Sequence, residues 1–321
     1  MDAARDPRTS VVTPVQAWRT VGGMSTPTWV DVLEAAEAVH PFVRHTPLLR
    51  AEVDGRPLVL KLEHLQRSGS FKLRGAVNAL LSGPLPERVL TASGGNHGLG
   101  VATAASLLNV PATVYVPESA PQAKTARIEA AGAKLIRHGA TYAEAAAKAL
   151  EAASEPGTRY LHAYDDPTVV AGQGTVAAEV VQDAPDVDAF LVAVGGGGLV
   201  AGTSLAGLPT YAVEPERCRA LDAALAAGEP VDVEIDSVAA SALGATRIGS
   251  VPFAVLRERV TSALVSDAEL LAARDRLWEE FRLAVEPAAA VPFAGWLAGR
   301  TEGELPCVIL CGANSDWTPG A

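Results

Sequence analysis

Six consecutive apolar residues, Ala189–Val194, run into four glycines, Gly195–Gly198, and then into the helical, Ala/Leu-rich stretch Leu199–Ala206. A run that is apolar at every position must be buried on both faces. A central strand of a parallel sheet covered by helices satisfies that requirement. Glycines at its carboxyl end let backbone N–H groups converge on an anion at the start of the next helix. Alone, the tetrad fits either a phosphate site or a tight turn with no ligand. Four glycines cost ~0.5–1 kcal/mol each in backbone entropy relative to alanine, which favours the ligand. The pattern is not Gly-x-Gly-x-x-Gly, and no Gly-Lys-Ser/Thr follows, so a dinucleotide fold or a P-loop is unsupported.

Strand and helix patterns alternate along the chain. Helices are expected over Val30–Val39, with Trp29, Val32, Leu33 and Ala36 on one side, and over Gly75–Leu81. The run Val89–Ala92 enters Ser93-Gly94-Gly95-Asn96-His97-Gly98, and a helix follows to Leu108. Ala112–Val116 and Lys134–Arg137 read as strands, as do Leu58–Leu62, Thr210–Val213 and Val308–Leu310. Helices are expected over Ala123–Ala131, Tyr142–Ala153, Val169–Gln182 and Asp267–Ala284, the last with Asp267 as its N-cap. Residues 228–252 read as loop. The fold class is therefore α/β, with two open parallel-sheet lobes flanked by helices. Ligands in such sheets sit at the carboxyl ends of strands, and three of those ends carry small or polar clusters, at 93–98, 195–199 and 311–314.

A chain of 321 residues suggests about two domains at ~150 residues each. With 49% hydrophobic and 20% charged residues it is too apolar for disorder. No stretch approaches the ~20 apolar residues of a membrane span. A net charge of −11 without a basic cluster argues against nucleic acid as a partner. Cys218, Cys307 and Cys311 give an odd count without Cys-x-x-Cys spacing, so neither a disulfide framework nor a zinc knuckle is indicated, and a reducing cytoplasm fits. Residues 1–28 lack a period and are taken as a flexible leader, an over-long start or a weakly structured arm.

The chain has five lysines. Lys61, Lys124, Lys134 and Lys148 sit in segments that read as surface or strand edge. Lys72 lies between Phe71 and Leu73, in Ser68-Gly69-Ser70-Phe71-Lys72-Leu73-Arg74-Gly75. A lysine in so apolar a place can have its pKa lowered, which suits a Schiff-base lysine. A solvated lysine at a helix start is the plainer alternative. The small residues of 93–98 would present N–H donors to a carboxylate. His97 could act as a base or serve as a structural hydrogen-bonding residue.

These elements, in this order, resemble the fold-type II pyridoxal-phosphate enzymes, with their tryptophan-synthase-β-like fold, and most closely the serine/threonine dehydratase (ammonia-lyase) and serine racemase group. The resemblance spans roughly residues 29–316. It includes His45-Thr46-Pro47-Leu48, Ala171-Gly172-Gln173-Gly174-Thr175, Ala212-Val213-Glu214-Pro215 and Val285-Glu286-Pro287. It implies pyridoxal 5'-phosphate in a cleft between a large domain (29–83 and 165–321) and a small one (84–164), a homodimer, and an amino-acid substrate. Lys72 would bond to the pyridoxal aldehyde and later move the Cα proton. Phe71 would pack near the ring and Asn96 would hydrogen-bond its hydroxyl. Gly195, Gly196, Gly197, Gly198 and Leu199 would cradle the phosphate, and Cys311 would face the pyridine nitrogen. Ser93, Gly94, Gly95 and His97 would surround the substrate carboxylate.

Three departures from that group refine the expectation. Serine racemases carry a second serine where this chain has Gly94, so one of the two bases of racemisation is missing and dehydration is favoured. Of the metal ligands in the group, Glu214 is present and Cys218 falls at the carbonyl position, but Ala220 replaces an aspartate. The oxygen count is then low for a hard cation, and no metal is expected. The chain ends shortly after the nitrogen-facing strand, which leaves no room for a regulatory domain. The expected activity is a lyase that converts L-serine or L-threonine to pyruvate or 2-oxobutyrate plus ammonia. Racemisation, or elimination from another β-substituted amino acid such as 3-hydroxyaspartate, is the alternative. A non-catalytic cofactor carrier or sensor is the rival from a different class.

Overall fold

The structure is a computed structural model that describes residues 19–21 and 24–315. Within the stretch taken as a leader, β1 (Arg19–Val21) pairs antiparallel with β2 (Met24–Thr26); residues 1–18 lie outside the described ones.

Two sheets carry the rest. The larger has six strands in the order β11 (Val260–Val265), β10 (Thr210–Pro215), β9 (Ala189–Ala193), β12 (Pro306–Ile309), β4 (Arg56–Lys61), β3 (Leu48–Val53). All its pairings are parallel except β3 with β4. The smaller is fully parallel: β7 (Lys134–Arg137), β6 (Ala112–Val116), β5 (Arg88–Ala92), β8 (Thr158–Tyr160). The apolar run Ala189–Ala193 is buried at every position, as a central strand requires.

The helices are α1 (Trp29–Val39), α2 (Lys72–Leu81), α3 (Asn96–Leu107), α4 (Gln122–Ala130), α5 (Tyr142–Ala152), α6 (Pro167–Asp183), α7 (Gly198–Ser204), α8 (Ala220–Ala227), α9 (Ala240–Leu243), α10 (Ser250–Leu256), α11 (Asp267–Phe281) and α12 (Pro287–Leu297). Several differ from the sequence reading. On α1 the buried face is Val32, Ala35 and Val39, and Leu33 is exposed. Residues 228–252 hold α9 and the start of α10 rather than loop throughout. The N-cap of α11 is Ser266, not Asp267: its hydroxyl accepts from Glu269 N–H and the Glu269 carboxylate accepts from Ser266 N–H, a reciprocal capping box. Asp267 instead accepts from Ser237 Oγ at 2.6 Å.

Lys61 is also not a surface or strand-edge lysine. It is fully buried, and its Nζ donates to Glu179 Oε2 at 2.5 Å and to Thr46 O at 2.7 Å. Arg74, equally buried, donates to Glu63 (2.7 and 2.9 Å) and to Glu179 (2.7 and 2.9 Å). Burial opposes ionisation of Glu179, but Arg74 and Lys61 outweigh it and hold its carboxyl below the usual range. This charge network ties β4 and α2 to α6, and so fixes the helix that begins at Lys72.

Candidate active site

Three chain segments converge where strands end. β5 ends at Ser93, β9 ends at the glycine tetrad, and β12 ends at Cys311. The loop before α2 is stitched onto the last of these. Phe71 N donates to Cys311 O at 3.1 Å, Ala313 N donates to Gly69 O at 2.9 Å, and Ser70 bridges Gly312. Lys72 therefore starts its helix beside the Cys311 thiol.

All the residues assigned to the cofactor from sequence line one cavity: Phe71, Lys72, Asn96, Gly195, Gly196, Gly197, Gly198, Leu199 and Cys311. Ser93, Gly94, Gly95 and His97 line an adjoining cleft of about 430 Å³, which Lys72 and Asn96 share. Lys72 is half-buried, and its Nζ donates to Ala163 O at 2.8 Å. Desolvation lowers its pKa to about 8. Burial pushes the Cys311 thiol well above the ordinary range, so it stands as a neutral thiol.

His97 differs from a free base. It is buried, its Nε2 lies 3.2 Å from Leu161 O, and desolvation together with the nearby Lys72 charge lowers its pKa to about 3. A neutral imidazole tied to a backbone carbonyl is a structural element of the cleft wall.

The tetrad has the geometry of an anion cradle. The N–H groups of Gly195, Gly196 and Gly197 donate to no backbone carbonyl among the described residues. Gly197 has φ +92°, which side chains adopt with strain, and a Cβ there would come within 2.6 Å of Ile248 Cδ1. A Cβ on Gly196 would lie 2.1 Å from the Tyr164 ring. Gly94 is different: a Cβ there would meet only Val116 Cγ1 at 3.6 Å and Ala120 Cβ at 3.8 Å, ordinary contacts.

Several lining residues went unassigned in the sequence. Tyr164 walls the cavity, and its ring packs edge-on against His162 at 4.8 Å. Glu286, at the N-terminus of α12, accepts from Asn96 Nδ2 at 2.7 Å. Burial raises its pKa to about 7, with the Asn96 hydrogen bond opposing. Asn314 Nδ2 donates to Asn96 Oδ1 at 2.8 Å and to Ser68 O at 2.7 Å. No sequence spacing announces these partners, because each comes from a distant segment. The Val285-Glu286-Pro287 motif and the asparagine closing 311–314 were the available signals.

Glu214 is fully buried away from this cleft. Its oxygens accept from Leu221 N (2.9 Å) and Asp222 N (2.8 Å), holding the first turn of α8. Burial raises its pKa to about 8. Among the described residues no group of three or more His, Cys, Asp or Glu is placed to hold a metal ion.

An amine of lowered pKa, open glycine amides, an aromatic wall and a buried thiol are the donor set for an aromatic aldehyde phosphate. Comparison with known families agrees: the model for pyridoxal-phosphate dependent enzymes matches residues 39–312. The chain belongs to that family. Within this pyridoxal-phosphate dependent family, it is 39% identical to an L-threonine ammonia-lyase of Geobacter sulfurreducens over 302 residues, 89% of this chain and 75% of that one. It is 36% identical to the L-threo-3-hydroxyaspartate ammonia-lyase of Saccharomyces cerevisiae over 309 residues, 91% of this chain and 95% of that one. A solved threonine deaminase (source given as T.th.) superposes with a TM-score of 0.86 at 36% identity, covering 91% of this chain and all of that one. The two parallel-sheet lobes are thus the fold-type II architecture.

Proposed function

We propose that this pyridoxal-phosphate dependent enzyme is an ammonia-lyase for small β-hydroxy amino acids of the L-serine and L-threonine kind, yielding pyruvate or 2-oxobutyrate and ammonia. The observation that carries the reading is Lys72. It is a half-buried amine with pKa about 8, beside a neutral thiol, at the junction of the cavity and the cleft. The names of the two enzyme relatives support the reaction class.

Bound pyridoxal phosphate supplies an electron sink that acidifies the substrate Cα–H. The protein's residues do the rest. The amides of Gly195–Leu199 hold the phosphate, and the neutral Cys311 thiol, a weak partner, leaves the pyridine nitrogen without a counter-charge. Asn96, oriented by Glu286 and Asn314, faces the ring hydroxyl. Ser93, Gly94 and Gly95 present backbone donors to the substrate carboxylate, with His97 buttressing their strand end. Lys72 takes the Cα proton, and the β-hydroxyl departs as water. The bare Gly94 leaves the opposite face without a side-chain acid, which disfavours racemisation.

Residues 84–164, which contain the smaller sheet, are taken as the small domain closing on the large one, in a cytoplasmic homodimer. Among the described residues no helix is long and apolar enough to cross a membrane. Incubation of the holoenzyme with serine, threonine and hydroxyaspartate stereoisomers, with keto acid and ammonia measured, tests the reading. Release of neither from any of them overturns it.

A further inference from the structure

One wall of the cleft carries positive charge that no carboxylate of the described chain pairs. Lys124 and Arg127, three residues apart on α4 and so on the same face, line a recess together with Gly94, Gly95, Asn96 and Glu286. Lys124 also lines the 430 Å³ cleft that holds Lys72. Among the described residues the side chains of Lys124 and Arg127 make no hydrogen bond and no ion pair. By contrast, Arg50, Arg74, Arg276 and Arg300 are each paired with a carboxylate within 2.8 Å. The acidic group nearest in the lining, Glu286, feels the Lys124 charge but gives its Oε1 to Asn96 instead. Lys124 is half-buried and Arg127 sits at the exposed rim.

Gly94, Gly95 and Asn96 line both the recess and the cleft. Because Gly94 and Gly95 have no side chains, nothing screens Lys124 from a substrate whose Cα carboxylate rests on the 93–97 segment. A group on Cβ of that substrate has an open route to the two cations. We infer that Lys124, with Arg127 behind it, receives a second carboxylate carried on Cβ, so that the favoured substrates are β-hydroxy dicarboxylic amino acids of the 3-hydroxyaspartate class. This inference rests on the ammonia-lyase reading and narrows its substrate.

The test compares kcat/KM of the holoenzyme for L-threo-3-hydroxyaspartate and for L-threonine in the wild type, Lys124→Gln, Lys124→Arg and Arg127→Gln. A charge-assisted contact that is half solvated is worth roughly tenfold. Lys124→Gln should therefore lower the hydroxyaspartate-to-threonine ratio about that much, mainly through KM, and Lys124→Arg should restore most of it. A second readout needs no turnover: calorimetric binding of succinate and of butyrate to the holoenzyme. Succinate should bind more tightly to the wild type, with the advantage lost in Lys124→Gln. A wild type that prefers threonine, a ratio unmoved by Lys124→Gln, or equal binding of succinate and butyrate overturns the inference. If no substrate releases ammonia, the ammonia-lyase reading fails, while the succinate comparison still decides what Lys124 recognises.

Discussion

Asn96 and Glu286, 190 residues apart in sequence, are joined by a 2.7 Å hydrogen bond from Asn96 Nδ2 to Glu286 Oε1. The bond links the start of α3, which follows the smaller sheet, to the start of α12, which packs on the larger one. It fixes the orientation of the asparagine, since Asn314 occupies the carbonyl end. The pair thus couples the wall of the cavity to a carboxyl whose pKa burial has raised to about 7.

That shift has a sign. A carboxyl whose folded pKa lies above its unfolded value contributes stability below the unfolded pKa, and the contribution is lost as pH rises through about 7. Glu286→Gln keeps an acceptor for Asn96 and cannot ionise. Denaturant unfolding between pH 5 and pH 8 should show the wild type losing stability relative to Glu286→Gln as pH rises. A constant difference across that range would contradict the raised pKa.

Lys72 makes a second pH expectation. Only the neutral amine attacks an aldehyde, and desolvation brings that form in near pH 8. Uptake of pyridoxal phosphate by the apoenzyme, followed by absorbance, should accelerate with a midpoint near pH 8 and then level. A rate still climbing at pH 10 would mean an ordinary, solvated lysine.

Gly94 decides between elimination and racemisation. A side chain fits there, with its nearest contacts at 3.6 and 3.8 Å. Gly94→Ser should fold as well as the wild type and raise D-serine relative to pyruvate from L-serine. A positioned acid typically contributes ~10²–10⁴-fold, so the product ratio should move by a large factor. Equal D-serine and pyruvate from the wild type would show that another group already serves that face.

The buried charge network should dominate stability beneath the site. Arg74→Ala would strand Glu63 and Glu179 among Lys61 alone, and breaking a buried pair in this way costs about 3–5 kcal/mol. Thermal unfolding should report a loss of that size, with Arg50→Ala, an exposed pair, close to neutral.

Much of this architecture is legible in the sequence where periodicity reports burial. Ala112–Val116 and Lys134–Arg137 are strands over the residues their patterns indicate. Helix α12 was missed because Pro287–Leu297 is apolar on nearly every side, with Pro292 inside it. It packs against β9, β10 and α11, so no polar stripe marks it as a helix. The network of Lys61 was invisible for another reason: a lysine ending a strand looks like an edge residue until Glu179, 118 positions away, is placed beside it. The tetrad and the Phe71-Lys72 step were legible because turn geometry and chemistry are local. Tyr164, Glu286 and Asn314 were not, because each reaches the site only through tertiary packing.

Assay of keto acid and ammonia from the holoenzyme, beside Lys72→Ala loaded with the same cofactor, tests the central claim most directly. The wild type should release equimolar keto acid and ammonia from at least one β-hydroxy amino acid among serine, threonine and 3-hydroxyaspartate, and Lys72→Ala should release neither. Turnover that survives in Lys72→Ala, or a wild type silent on all three, would contradict the account.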